Sequence, residues 1–261
     1  MDLFSKEPLE ILDGDYHYGT DDVGDQFDEH DEARWLSSRF KENIDVSKEP
    51  WLFSWFPMSQ EICQKIADEG KPFLEIACGP GMGLTPFIRN KNPEIVCLAT
   101  DASSRLIKAW RKYINSQISD SKINLASFNA LDMPLKDHSF DYVTSYIGIS
   151  NTRDGVEGKL QALKEVYRVL KPGGYFVGVE ADFEDYSKID EVFKLAGREN
   201  YYVKPELSWA EKIAATDFEI VSDDQHYIRN FTSDDNELGA YADQFGIEIG
   251  LKNTLYILRK K

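Results

Sequence analysis

Short apolar runs alternate with amphipathic runs from residue 59 to residue 180, and this alternation constrains the fold more than any other feature of the sequence. Amphipathic runs predict helices, whereas short apolar runs bounded by turn residues predict strands. Helices are predicted at 59–69, 84–89, 103–116 and 157–170, and strands at 72–77, 95–99, 123–128, 140–145 and 175–180. Strands separated by crossover helices form a parallel sheet covered on both faces, so an α/β fold is expected.

The C-terminal part of the chain follows a different pattern. Residues 218–223 and 254–258 are strand-like, but an irregular polar stretch lies between them instead of a crossover helix. Strands joined without a crossover helix pair antiparallel. We therefore predict a seven-stranded, mostly parallel sheet, in which strand 73–77 is central and strand 254–258 runs antiparallel beside strand 175–180.

The N-terminal region is strongly acidic. Nine acidic residues and few aliphatic ones occur within residues 13–32, too little apolar surface to order this segment alone. We therefore predict a mobile, solvated arm at 13–32. His17 and His30 lie in it beside carboxylates, but their spacing matches no recognised metal site, so an acidic surface is the preferred interpretation and no metal is expected.

Composition also indicates how the chain divides. With 261 residues, of which 42% are hydrophobic, it can bury one full core. Aromatic residues recur from Trp35 to Phe56, which is typical of helix packed on a larger body. We predict an acidic arm and helical lid at 1–56, followed by one domain at 57–261 with a cap inserted around 182–212.

The balance of charges restricts the partners. The chain has 46 Asp and Glu residues against 30 Lys and Arg residues, a net charge of −16. This surface repels phosphate backbones and anionic lipids, so neither nucleic acid nor a membrane is expected as a partner, whereas a small molecule is. Cys63, Cys78 and Cys97 fit neither a disulfide framework nor a zinc cluster. A cytoplasmic location is expected, because no secretory signal or membrane-length apolar run is recognisable.

A glycine-rich turn follows the strand at 72–77. The sequence from Glu75 to Gly83 is EIACGPGMG. Glycines adopt positive φ at little cost and let the backbone approach a ligand closely. Since the GxGxxG order of dinucleotide-binding proteins is missing, a pyrophosphate is not the expected ligand, and a zwitterionic amino-acid group fits better.

An acidic residue follows the next strand. Asp101 lies 20 residues after Gly81, at the end of the strand predicted at 95–99. At that distance from a glycine turn, a carboxylate binds both hydroxyls of a ribose. The two motifs together indicate a ligand that contains adenosine.

With two further motifs, residues 73–180 resemble the core of the class I S-adenosylmethionine-dependent methyltransferases, in the branch that methylates small molecules. The further motifs are NALDMP at 129–134, and FDYV at 140–143 followed by LKPGG at 170–174. All four occur in the family's order. The resemblance implies a Rossmann-like α/β fold, S-adenosylmethionine as cofactor and a small-molecule methyl acceptor.

The resemblance also implies which residues bind the cofactor. The methionine end would lie near the glycine turn, the ribose on the acidic residue of the second motif, and the adenine against the third motif. The candidate cofactor-binding residues are Glu75, Ala77, Gly79, Gly81, Asp101, Ala102, Asn129, Ala130 and Tyr146.

The sequence departs from the family pattern at three places. Ala77 stands where the family has glycine, and Asn129 where it commonly has Asp, although an amide oxygen can still accept from the adenine amine. A histidine pair that many relatives carry after the fourth strand is replaced by Ser150 and Asn151. No general base is identified, but a sulfonium donor does not require one, because positioning supplies much of the acceleration.

Several polar and aromatic residues are candidates for contact with the acceptor. Those expected near strand ends are Tyr146, Asn151, Glu180 and Asp182. Tyr16, His17 and Tyr18 are candidates to close over the site. An aromatic cage for a cationic amine, or simple packing of a helical cap, would use Tyr186, Tyr201, Tyr202 and Trp209. The acceptor and the oligomeric state stay open at this point, and a non-catalytic cofactor-binding protein or, less well, a dehydrogenase is the alternative.

Overall fold

The structure is a computed structural model that describes residues 3–19, 51–118, 122–152, 155–200, 202, 204–233 and 237–261. The helices are α1 Trp51–Trp55, α2 Pro57–Glu69, α3 Thr85–Lys91, α4 Ser104–Tyr113, α5 Gly155–Val169, α6 Tyr186–Ala196, α7 Trp209–Ala214 and α8 Glu237–Phe245. The strands are β1 Glu10–Leu12, β2 Asp15–His17, β3 Phe73–Glu75, β4 Cys97–Asp101, β5 Ile123–Ser127, β6 Phe140–Tyr146, β7 Leu170–Phe183, β8 Phe218–Asn230 and β9 Gly250–Lys260.

One twisted sheet organises the molecule, and its strand order is β1-β2-β5-β4-β3-β6-β7-β9-β8. The strands from β2 to β7 in this order are parallel to their neighbours, and β3 lies in the middle. The last strand runs antiparallel to β7, with Val177 opposite Ile257. The predicted α/β class, the central strand and the antiparallel last strand are therefore confirmed.

Among the described residues the sheet has nine strands, not the seven predicted, because an N-terminal hairpin extends it. β1 and β2 pair antiparallel, and β2 continues the sheet beside β5 with Tyr16 opposite Ala126. The expectation of a solvated arm at 13–32 is wrong for 13–19, whereas residues 20–32, including His30, lie outside the described residues. Of the predicted helical lid, only the residues from 51 onward are described, and residues 51–55 form α1.

Two long-range contacts explain why this acidic segment is ordered. Asp15 is 1% exposed, and both of its carboxylate oxygens accept hydrogen bonds from the Arg111 guanidinium, at 2.9 and 2.5 Å. His17 is buried as well, with Nδ1 2.8 Å from Oγ of Ser127. A buried carboxylate is tolerated when it is paired and hydrogen-bonded, so the charge of Asp15 does not prevent docking.

Helices cover both faces of the sheet. Successive residues of a strand point to opposite faces, so Phe73 of β3 packs in the cluster that contains Ile66 and Phe87, from α2 and α3. Its neighbour Leu74 packs in the other cluster, with Leu163 of α5. Burial of such side chains contributes about 1.5–3 kcal/mol each.

The region predicted as a cap, 182–212, divides between two places. Val192 of α6 packs with Leu238 of α8 in a third, smaller cluster. Trp209 lies instead in the main core, in the cluster that contains Ile213. That the α6 and α8 unit caps a pocket stays a prediction.

The aromatic residues of this region pack on one another. The ring of Phe183 meets Tyr186, Tyr202 and Phe231 edge-on, with centroid distances of 5.7, 5.4 and 5.4 Å. Edge-to-face geometry is typical of packed aromatic rings. Tyr201 lies outside the described residues.

Candidate cofactor and acceptor site

The predicted site residues come together at one edge of the sheet. Glu75, Asp101 and Tyr146 are the last residues of β3, β4 and β6, which are neighbouring parallel strands. The carboxyl ends of parallel strands meet at the same edge, where ligands of open α/β sheets bind. Asn129, in the loop after β5, and Glu180, near the carboxyl end of β7, lie at the same edge.

The glycine turn has a backbone that favours glycine at several positions. Gly79 and Gly83 have φ of 55° and 54°, in the left-handed region. A Cβ added to Gly83 would lie 1.9 Å from Oε1 of Glu75, so only glycine fits there. A Cβ on Gly79 or Gly81 would meet no described atom within 4 Å, which leaves this side of the turn open to a ligand.

Ala77 occupies a position where the family's glycine has a physical reason. Its φ is 49°, a conformation that costs an L-residue roughly 1–2 kcal/mol. The departure from glycine therefore has a cost in backbone conformation.

Glu75 supports the glycine turn from inside the protein. Its side chain is fully buried, and Oε2 accepts hydrogen bonds from Leu84 N at 3.0 Å and from Thr144 Oγ1 at 2.6 Å. Burial raises the pKa of this carboxyl to about 8, although the hydrogen bonds oppose the shift. The Glu75 side chain is enclosed beneath Gly83. Its direct contact with the methionine end of the cofactor stays a prediction.

Asp101 is linked directly to the glycine turn. The Gly79 N–H donates to its Oδ2 at 3.0 Å, and the Ser103 N–H donates to its Oδ1 at 2.9 Å. Burial raises the pKa of Asp101, while these backbone donors lower it. Each carboxylate oxygen can accept more than one hydrogen bond, so Asp101 can accept further ones from ribose hydroxyls.

Trp110 is a residue of the site that the sequence did not reveal. Its indole Nε1–H donates to the Gly79 carbonyl at 2.9 Å, and the whole side chain is buried. The peptide groups on both sides of Gly79 are therefore held, one by Asp101 and one by Trp110. The amphipathic pattern of α4 predicts that Trp110 faces the core but does not indicate its polar contact.

The predicted adenine side is formed by the loop after β5. Oδ1 of Asn129 accepts from Leu131 N at 3.0 Å, so this oxygen is already used once within its own loop. The Phe128 N–H donates to the Asp101 carbonyl at 3.0 Å and joins the two loops. Ala102 and Ala130 are half-buried beside them. Their contact with adenine stays a prediction.

The N-terminal hairpin reaches the same loop. The Tyr18 N–H donates to the Ser127 carbonyl at 3.0 Å, and its ring meets Phe128 edge-on at 6.4 Å. Tyr18 is therefore next to the predicted adenine side. Tyr16 and His17 belong to β2 and take part in the sheet.

The four candidate acceptor contacts differ in exposure. Tyr146 is half-buried and Asn151 is exposed. Glu180 is 1% exposed, and Oε2 accepts from both the N–H and the hydroxyl of Ser150. Asp182 accepts from the Tyr186 hydroxyl at 2.6 Å. Both carboxylates are thus engaged inside the protein, and burial raises the pKa of Glu180 to about 7.

Among the residues that the structure describes, no three His, Cys, Asp or Glu side chains are grouped as metal ligands would be. None of the helices within the same ranges combines the length and apolar character needed to cross a membrane.

Comparisons with known sequences point to one family. The profile of the ubiE/COQ5 methyltransferase family matches residues 55–252. A demethylmenaquinone methyltransferase of Listeria monocytogenes serotype 4a (strain HCC23) is 30% identical over 137 residues, 52% of this chain and 54% of that protein. One from Lactiplantibacillus plantarum (strain ATCC BAA-793 / NCIMB 8826 / WCFS1) is 34% identical over 122 residues, 46% and 49% of the two chains. The chain spans about half the length of the curated relatives it matches.

Solved structures are similar in fold. The YcgJ protein from Bacillus subtilis has a TM-score of 0.57 at 18% identity, covering 78% of this chain and 99% of that one. A geranyl diphosphate methyltransferase in complex with SAM has a TM-score of 0.52 at 12% identity, covering 92% and 94%. At these identities the likeness concerns the fold, and it agrees with the predicted Rossmann-like architecture.

Proposed function

The chain belongs to the ubiE/COQ5 methyltransferase family, and from this premise we propose that it transfers a methyl group from S-adenosylmethionine to a small organic molecule. One observation carries the proposal most directly. The glycine turn is hydrogen-bonded to Asp101 through Gly79, and its open side lies at the carboxyl edge of the parallel sheet. This arrangement joins a backbone surface for an amino-acid group to a carboxylate for a ribose.

The residues at this edge fit the chemical groups of the cofactor. The open side of Gly79 and Gly81 accommodates the methionine end, and Asp101 has lone pairs for both ribose hydroxyls. Asn129 and Ala130 would contact the adenine edge. When bound, the cofactor supplies an activated methyl group on a sulfonium, whose leaving group needs no protonation.

We propose a quinone-type ring, in its reduced form, as the acceptor. The curated relatives named above are demethylmenaquinone methyltransferases, and the family whose model matches this chain is also a methyltransferase family. The net charge of −16 suits a neutral ring better than a phosphorylated acceptor. Tyr146, at the end of β6, and Asn151, which is exposed, lie at this edge and would contact a ring.

The protein's contribution to the reaction is mainly geometric. Holding the acceptor in line with the methyl group, away from water, supplies most of the acceleration in such a displacement. No residue is assigned as a general base, because Glu180 and Asp182 are occupied by other contacts. Positioning by the loops at this edge is therefore the proposed source of catalysis.

The test is an assay with S-adenosylmethionine and chemically reduced demethylmenaquinone. We expect S-adenosylhomocysteine and a methylated product to appear together by mass spectrometry, and both to be lost in Asp101→Ala at the same cofactor concentration. Binding of the cofactor without turnover of quinols, phenols, amines or carboxylates would indicate a non-catalytic cofactor-binding protein. A chain that does not bind the cofactor by calorimetry would contradict the proposed function.

A further inference from the structure

We propose that Glu180 is a positioning residue of the methyl-transfer site, which acts through Ser150 to hold the turn after β6 against the glycine turn. That Glu180 affects methyl transfer rests on the function proposed above. That it holds the two turns together can be measured without an acceptor.

Glu180 and Ser150 interlock the end of β7 with the turn that follows β6. Oε2 of Glu180 accepts from Ser150 N at 2.7 Å and lies 2.6 Å from Ser150 Oγ. The same hydroxyl oxygen accepts from the Ala181 N–H at 2.9 Å. Hydrogen bonds to an ionised carboxylate are roughly twice as strong as neutral ones, so above the raised pKa of Glu180 this contact holds the turn most firmly.

The turn that Glu180 holds is strained. Ile147 has a φ of 57°, which is a genuine outlier for a β-branched residue. Its N–H donates to the Val179 carbonyl at 2.6 Å. Such a conformation is costly and persists only where neighbouring contacts enforce it. The bonds from Glu180 to Ser150, three residues along, are contacts of this kind.

The strained turn packs closely against the glycine turn. A Cβ added to Gly148 would lie 2.7 Å from Cβ of Ala77 and 3.2 Å from the Ile76 carbonyl oxygen. Gly148 therefore lies directly against Ala77, which itself has positive φ. Movement of the turn after β6 would release Ala77, and with it the backbone predicted to receive the methionine end.

Glu180 has a cost that calls for an explanation. Its Oε1 is buried and has no hydrogen-bond partner among the described residues. An unsatisfied buried acceptor destabilises a protein, because its hydration is lost without a replacement hydrogen bond. Lys159 of α5 and Tyr256 of β9 interact with Glu180 electrostatically. We attribute the presence of Glu180 here, in spite of its unpartnered Oε1, to its role in holding the turn after β6.

The experiment compares four variants of the full chain by calorimetry with S-adenosylhomocysteine and by hydrogen exchange of the amides at 147–151. In Glu180→Ala we expect cofactor-product affinity to fall about tenfold and these amides to exchange at least about tenfold faster. Glu180→Gln keeps an oxygen acceptor for Ser150, so its affinity should stay within about threefold of the wild type. Asp141→Ala is the matched control, because it removes a carboxylate with two lysine partners from the opposite end of β6.

Unchanged affinity and exchange in a folded Glu180→Ala would overturn the proposal, and so would equal losses in Glu180→Ala and Glu180→Gln. If Glu180→Ala does not fold, Ser150→Ala removes only the hydroxyl contacts, and the proposal requires a loss of about threefold there. A wild-type chain that does not bind S-adenosylhomocysteine would reject the proposed function instead. The exchange rates at 147–151 would then still decide whether Glu180 holds the turn.

Discussion

Two buried glutamates support two neighbouring turns of the site, and the turns differ in how they are built. Glu75 holds the glycine turn through Leu84 N, and Glu180 holds the turn after β6 through Ser150 N. In the first turn two of the four left-handed positions are glycines and the other two are Ala77 and Met82, whereas in the second turn the β-branched Ile147 occupies the left-handed position. Both turns therefore carry backbone strain, but a β-branched residue tolerates this region least, so the turn after β6 depends more on its glutamate.

The largest expected effect tests whether the glycine turn is the cofactor side. Asp101→Ala should weaken S-adenosylmethionine binding by more than about tenfold, since two hydrogen bonds to a carboxylate are lost at about 1.5–3 kcal/mol each. The Gly79 N–H also loses its partner, which adds to the loss. Isothermal titration calorimetry measures the change. Wild-type affinity in this variant would show that the cofactor does not bind at this turn.

The next effect, a few kcal/mol, separates the two glutamates by pH. Burial raises the pKa of Glu75 to about 8 and that of Glu180 to about 7, above the ordinary 4.5. Each neutral carboxyl thus stabilises the folded state fully below pH 4.5, and this stabilisation is lost as pH rises through the folded pKa. We expect Glu180→Gln to remove the part of the pH dependence of the free energy of unfolding that lies between pH 4.5 and about 7. Glu75→Gln should remove the part between pH 4.5 and about 8.

Urea unfolding at a series of pH values measures this dependence. The difference between each variant and the wild type isolates one carboxyl from the others that titrate in the same range. A Glu75→Gln curve parallel to the wild type from pH 5 to pH 9 would show that Glu75 is not protonated in the folded state.

A smaller effect tests the close contact beneath the glycine turn. Gly83→Ala should lower the free energy of unfolding by about 2–3 kcal/mol, because a Cβ would lie 1.9 Å from Glu75 and φ is positive. Gly81→Ala is the matched control, since its Cβ would meet no described atom within 4 Å and its φ is not positive. Equal stabilities of the two variants would contradict the packing of Glu75 under Gly83.

The smallest effect concerns Ala77, one of the two strained positions of the glycine turn. Ala77→Gly should raise the free energy of unfolding by about 0.5–1 kcal/mol, because glycine adopts its φ of 49° without penalty. Ala109→Gly, inside α4, should change stability by a similar amount in the opposite direction. Thermal unfolding of both variants checks the signs. Destabilisation in both would mean that the Cβ of Ala77 contributes more by packing on Gly148 than it costs in conformation.

The order in which motifs occur along the chain determined most of the cofactor side. The alternation of strands and helices gives a parallel sheet, and the carboxyl ends of its strands then lie together, so Glu75, Asp101 and Tyr146 meet at one edge without further information. The parallel order and the shared edge depend on periodicity and spacing within short segments, which a sequence contains in full. The antiparallel direction of the last strand was also predicted correctly, but the expected absence of a helix before it was wrong, because α8 lies between β8 and β9.

Tertiary structure decided the contacts that join distant segments. The pair of Asp15 and Arg111 spans 96 residues and turns part of an acidic arm into two strands. Trp110 holds Gly79 across 31 residues, and Glu180 holds Ser150 across 30. A local pattern shows that such side chains are polar or face the core, but their partners depend on which loops the folded sheet brings together. Only the folded chain supplies the partner, the burial and the resulting pKa.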